Sequence, residues 1–175
     1  MEPLPPSLAA ALRPVLPSLA EETITAIGRE VPDYRRPLEG PFGQALRTGV
    51  ESALARFVDA VEDPAGVDAS AAGDTYVGLG MLEFHAGRSL DALLSAYRLG
   101  ARLAWERFLA AGRAAGHDPE VLFRLAGAIF TYIDQISAES VEGYARERSA
   151  AEAEQGRRRR ALVRLLADAD AAPEA

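Results

Sequence analysis

Arg98 and Arg102 stand one helical turn apart, and two guanidinium groups at that spacing can clamp a carboxylate or phosphate if both face a cavity. Their stripe also carries Asp91, Ser95 and Glu106, so a solvated face is the competing reading, with ion pairs worth only tenths of a kcal/mol. Trp105 and Tyr132, together with Tyr97 and Phe108, could line a small-molecule pocket, although aromatics at helical spacing more often make plain core. His85 is a candidate axial ligand for haem, set against the blander role of a helix-end side chain, which we prefer. His117 sits between Gly116 and Asp118 in a turn. The chain has no cysteine, so thiolate metal sites and cysteine nucleophiles are excluded. Without a paired-acid motif either, no catalytic residue, metal site or cofactor is assigned, and the chain reads as non-enzymatic.

The elements that must position these residues are helices. From Gly87 to Leu109, residues Leu90, Leu93, Leu94, Tyr97, Ala101, Ala104, Trp105 and Phe108 recur three or four apart. Leu99 and Leu103 widen the apolar surface, which predicts a central helix touching neighbours on more than one side. Before it, Ser7 to Leu12 suits a short helix. Pro14 and Pro17 interrupt or restart the chain, and a second stripe (Leu19, Thr23, Ile24, Ile27, Val31) stops at Pro32. Asp33 to Gly40 reads as ordered loop. Gly40-Pro41 opens the cleanest amphipathic helix, ended by Asp63-Pro64-Ala65-Gly66. Ser70 is the expected cap of the next helix, whose Gly73, Gly78 and Gly80 imply either close helix contact or local irregularity. Gly87 supplies a stop, and Ser89 with Asp91 starts the central helix.

Asp118-Pro119-Glu120 is a strong start signal for the last helix. Its stripe fades after Tyr144, yet no proline intervenes before Pro173, so the far end is expected to project. The run Arg157 to Arg160 fans around the helix behind Glu147, Glu152 and Glu154, the pattern of a solvated stalk. Leu162, Val163, Leu165 and Leu166 form an apolar cluster that nothing else in the chain is expected to cover, which calls for a partner surface. No segment alternates with period two, so the expected fold is an all-α bundle of five to six helices with a long C-terminal helix.

Chain length fits one domain, divided into a helical body, residues 1–148, and a stalk or linker, residues 149–175. A net charge of −7 argues against direct nucleic-acid binding. The N-terminus lacks the basic start and apolar run of a signal peptide, and no stretch reads as long enough to span a bilayer, so a cytoplasmic location is expected.

Five segments carry a resemblance: Pro32-Asp33-Tyr34, Gly87 to Leu94, Ala96 to Arg102, Tyr132-Ile133-Asp134, and Ser140 to Tyr144. They resemble the N-terminal helical domain of PucR/CdaR-type bacterial transcription regulators, over about Leu8 to Leu166. That domain is related to the N-terminal module of RsbR-type stress regulators, some of them globin-like without haem, so the resemblance adds a globin-like arrangement to the fold options. It implies a regulatory input or dimerisation domain, a homodimer, and downstream regulatory and DNA-binding domains in a parent protein. It supplies no catalytic residues. Ending at Ala175, the chain reads as an excised domain or a free-standing relative. The reading adopted is a non-enzymatic signal-input domain relaying through its last helix. The alternatives are a small-ligand sensor, with haem a narrower case, and a stand-alone RsbR-like partner-binding module.

Overall fold

Proline and glycine place the breaks, and helix fills the chain between them. The computed structural model describes residues 4–35, 40–64 and 69–170. Pro6 opens α1 (Pro6–Leu12), Pro14 lies in a 3-10 turn (Arg13–Val15), and Pro17 sits in the first turn of α2 (Leu16–Glu30). Val31 is extended ahead of Pro32, which begins a second 3-10 turn, Pro32–Tyr34. Then follow α3 (Gly40–Glu62), α4 (Ala69–His85), α5 (Leu90–Ala114) and α6 (Pro119–Asp170), with no strand among the described residues. The all-α bundle with a long last helix is as expected.

The turn between α4 and α5 shows how local chemistry sets the architecture. Gly87 takes φ +68°, a left-handed conformation that side chains disfavour. Its N–H reaches the Phe84 carbonyl at 3.0 Å, and the Arg88 N–H reaches the Glu83 carbonyl at 3.1 Å, closing the last turn of α4. Two residues on, Ser89 Oγ accepts from the Ala92 N–H at 3.2 Å and so caps α5. The other expected cap is displaced: α4 begins at Ala69, which puts Ser70 inside the first turn, and its side chain lies outside the described residues, as do the surroundings of Gly73.

Central helix α5 contacts α1, α2, α4 and α6. Its Asp91, Arg98, Arg102 and Glu106 stay exposed. One core cluster joins Leu8, Leu12, Leu19, Phe57, Val58, Phe108, Leu125 and Ile129; another joins Ile27, Val31, Tyr34, Ala92, Ala96 and Leu99.

The closest helix pairing is that of α4 with α6, and glycine makes it possible. A Cβ on Gly80 would collide with the Ser140 carbonyl, and one on Gly143 with the Val77 carbonyl. The two backbones therefore touch at a reciprocal contact that only a missing side chain permits. Of the two sequence options for these glycines, Gly80 realises close contact within a regular helix, whereas Gly78 faces open space.

At 52 residues α6 is about 78 Å long at 1.5 Å per residue. Its first half supplies buried Leu122, Leu125, Ile129, Ile136 and Ser140; from Ala145 to Leu162 no residue is buried. Arg157 and Arg158 both pair with Glu154, the solvated stalk face anticipated for the arginine run. Leu162 is 61% exposed, while the side chains of Val163, Leu165 and Leu166 lie outside the described residues. One expectation needs correction. Between Pro119 and Leu162, α6 is by length and composition apolar enough to cross a membrane, with a mean hydropathy of 1.2 over its most apolar window. The physical reason is that its first half is apolar on both faces, carrying Phe123 and Phe130 outward at 72% and 67% exposure.

Candidate ligand-binding cavity

The two core clusters do not close on each other. Between them lies a cavity of about 430 Å³, walled by α2, α3, α4, α5 and α6. The C-terminal half of α3 is fastened to the far wall: the Phe57 ring stacks on Phe108 at 5.8 Å and meets Tyr132 at 5.4 Å. Towards its N-terminus, Leu46 and Val50 border the cavity, and the exposed Ala45 and Gly49 form a rim with Leu82 of α4 and Ala86 in the turn after it. An enclosed void of this volume would cost on the order of 10 kcal/mol at about 24 cal/mol per Å³, comparable to the whole stability of a domain. Space on that scale belongs to an opening or an occupant, not to an imperfection of packing.

Most of the wall is aliphatic: Ile27, Leu54, Leu79, Leu93, Ile129 and Ile136 are typical. Its polar groups are few and mostly committed. Tyr132 donates to the Ala53 carbonyl at 3.0 Å, so the contact between the Tyr76 and Tyr132 hydroxyls, 2.5 Å apart, has Tyr76 as its donor. Ser140 Oγ donates to the Tyr76 carbonyl at 3.2 Å, which makes Tyr97 the donor in its 2.9 Å bond to Ser140. Burial, above all, raises Tyr34, Tyr76, Tyr97 and Tyr132 above the ordinary phenol range, so all four are neutral at physiological pH.

At one end of the cavity sits a paired charge. Arg88 forks onto Glu83, with Nε–Oε2 at 2.6 Å and Nη2–Oε1 at 2.7 Å, and Tyr34 donates to the same carboxylate at 2.8 Å. The side chains of Glu83 and Arg88 are 5% and 14% exposed. The bond to Glu83 raises the Arg88 pKa further, and the guanidinium lies 5.5 Å from the Tyr34 ring centre. Around this pair the chain is sewn together: Ser89 donates N–H and O–H to Asp33, at 3.0 and 2.9 Å, and Tyr144 donates to the Arg88 carbonyl at 3.2 Å.

Of the residues singled out in the sequence, Tyr132 lines the cavity, as do Tyr97 and Phe108. Trp105 is half-buried against the first core cluster and off the cavity. Arg98 points outward to Ser95 and Asp91, and Arg102 approaches Glu30 at 3.4 Å, so the two arginines share no cavity. His85 is exposed, with Nε2 2.9 Å from Glu147, and the cavity wall contains no histidine. Among the described residues no group of His, Cys, Asp and Glu is arranged to hold a metal ion.

Four of the five resemblance segments thus meet around one corner: Asp33 and Tyr34, the Gly87–Leu94 turn, Tyr97, and Ser140 to Tyr144. Consistent with that convergence, the PucR-like N-terminal domain family matches residues 1–167. The chain belongs to that family. No curated protein and no solved structure matches it. It is a regulatory domain of a transcription-regulator family. In this PucR-like domain the residues that sequence reasoning missed are Glu83 and Arg88. Glu83 did leave a signal, as the lone acid in the run Tyr76 to His85.

Proposed function

We propose that this PucR-like domain is a non-enzymatic, cytoplasmic signal-input module that self-associates through α6 and relays its signal along that helix. One observation carries the reading: a single unbroken helix is first a wall of the cavity, through Ile129, Tyr132, Ile133 and Ile136, and then an unpartnered stalk. Phe123 and Phe130, seven residues apart on its outer face, support self-association, because large exposed rings in register suit a two-fold contact between copies. The helical body up to residue 148 receives the signal, and the remainder carries it to the DNA-binding part of a parent regulator. Sedimentation equilibrium of the wild type and of Phe123→Glu/Phe130→Glu tests the association, with a dimer and a monomer expected. A wild-type monomer at 100 µM (roughly the range of weak homodimers) would overturn it. Replacing residues 149–170 by a flexible Gly-Ser linker of equal length in the parent regulator is expected to uncouple regulation; unchanged regulation would end the relay reading.

A further inference from the structure

The cavity wall is aliphatic or aromatic apart from a few polar groups, and these are paired within the protein. Thr23, on α2 in the same wall and 3% exposed, has its Oγ1 closed off from the cavity. We propose that the cavity binds a neutral, largely apolar small molecule, held by shape and apolar contact rather than by a hydrogen bond. This deepens the signal-input reading by naming the class of signal, and it rests on that reading only for its consequence, not for the binding itself.

Charge, polarity and size each narrow the ligand. Among the described residues the ionised groups of the wall are Glu83 and Arg88, which neutralise each other in a two-pronged pair, so an anion or cation would enter without a counter-charge. The hydrogens of Tyr76, Tyr97 and Tyr132 are already directed at protein acceptors, so a ligand with several polar groups would leave them unpaired. The remaining surface is aliphatic or aromatic. Scaling from about 150 Å³ for a benzene-sized cavity, 430 Å³ suits roughly 15 non-hydrogen atoms. A ring system or short chain with at most one polar group fits that description.

The test uses N-phenyl-1-naphthylamine, a neutral fluorophore of this size with a single N–H, and its sulfonated relative 1-anilinonaphthalene-8-sulfonate. Titrated into the full chain, the neutral probe is expected to saturate one site per chain and to bind at least tenfold more tightly than the sulfonate. Val50→Trp and, independently, Leu46→Trp fill the cavity from α3 and are expected to abolish binding. Circular dichroism identifies which of the two variants stays folded. Equal affinity for the two probes, binding that survives the filling variants, or no binding of either probe would overturn the proposal. So would protection of the cavity by the chain's own residues, seen as wild-type side-chain signals that do not shift on titration. Sedimentation of the same samples reads self-association separately, so loss of binding with an intact dimer counts against the ligand alone.

Discussion

At the scale of the residue, the contrast between two kinds of arginine is the most informative feature. Arg88 and Arg102 are the same side chain beside a glutamate, but one pair is withdrawn from water and the other is not. Removing one member of a buried pair strands the other charge, whereas an exposed pair is screened and entropically costly to hold. Arg88→Ala is therefore expected to destabilise the fold by about 3–5 kcal/mol in urea unfolding, and Arg102→Ala by less than about 0.5 kcal/mol. The tyrosines give a second expectation. Tyr34, Tyr76, Tyr97 and Tyr132 have folded-state pKa values raised by burial above the ordinary 10. The unfolded chain ionises them near that value and the folded protein resists, so their contribution is complete below about pH 10 and is lost as the pH rises beyond it. Ultraviolet titration is expected to show the phenolate absorbance of these four appearing with unfolding rather than ahead of it. Sequence reading found Tyr97 and Tyr132 as pattern, but not the network that joins them to Tyr76. Hydrogen bonds between Tyr76 and Tyr132, 56 positions apart, leave no mark in local spacing.

At the scale of the element, helix limits were legible because they are local. Pro17, Pro32, Gly87 and the Asp118-Pro119 pair each act on the backbone within a turn of themselves, and each marks a boundary in the structure. The function of a glycine was not legible, because it depends on what another helix brings to it. Gly78 and Gly80 are two residues apart in α4, yet one faces open space and the other faces the Ser140 carbonyl. Gly78→Ala is expected to stabilise the protein by about 0.5–1 kcal/mol through helix propensity. Gly80→Ala is expected to cost roughly 3 kcal/mol or more, since the neighbour is backbone and cannot swing aside. Thermal unfolding of the two variants side by side checks both signs, with Tm shifts of about 2–4 °C per kcal/mol for a chain of this length.

At the scale of the whole molecule, the cavity is what sequence could least foretell. It is made by the spacing between α3 and its neighbours, and most residues around it are also plausible core residues. Thr23 illustrates this: it belongs to the α2 core stripe by periodicity and is buried as the stripe requires, while its hydroxyl faces no partner. The same arrangement predicts uneven stability. The first half of α3 borders a void, whereas α6 from Leu122 to Gly143 is packed along α4 and α5, so amide exchange is expected to be faster around Ala45–Val50 than around Ile129–Ser140. Hydrogen exchange read by mass spectrometry checks the order. The contact of Gly80 and Gly143 has a mechanical consequence. Backbone against backbone leaves no side chain to yield, so α6 is held most stiffly at this point, the place about which any tilt of it would turn. Ile133 in the cavity wall lies about 13 Å to one side of it, and Leu162 about 30 Å to the other, at 1.5 Å per residue. A rigid α6 pivoting there is a lever of unequal arms, and a tilt that moves Ile133 by one ångström swings Leu162 by about two in the opposite direction.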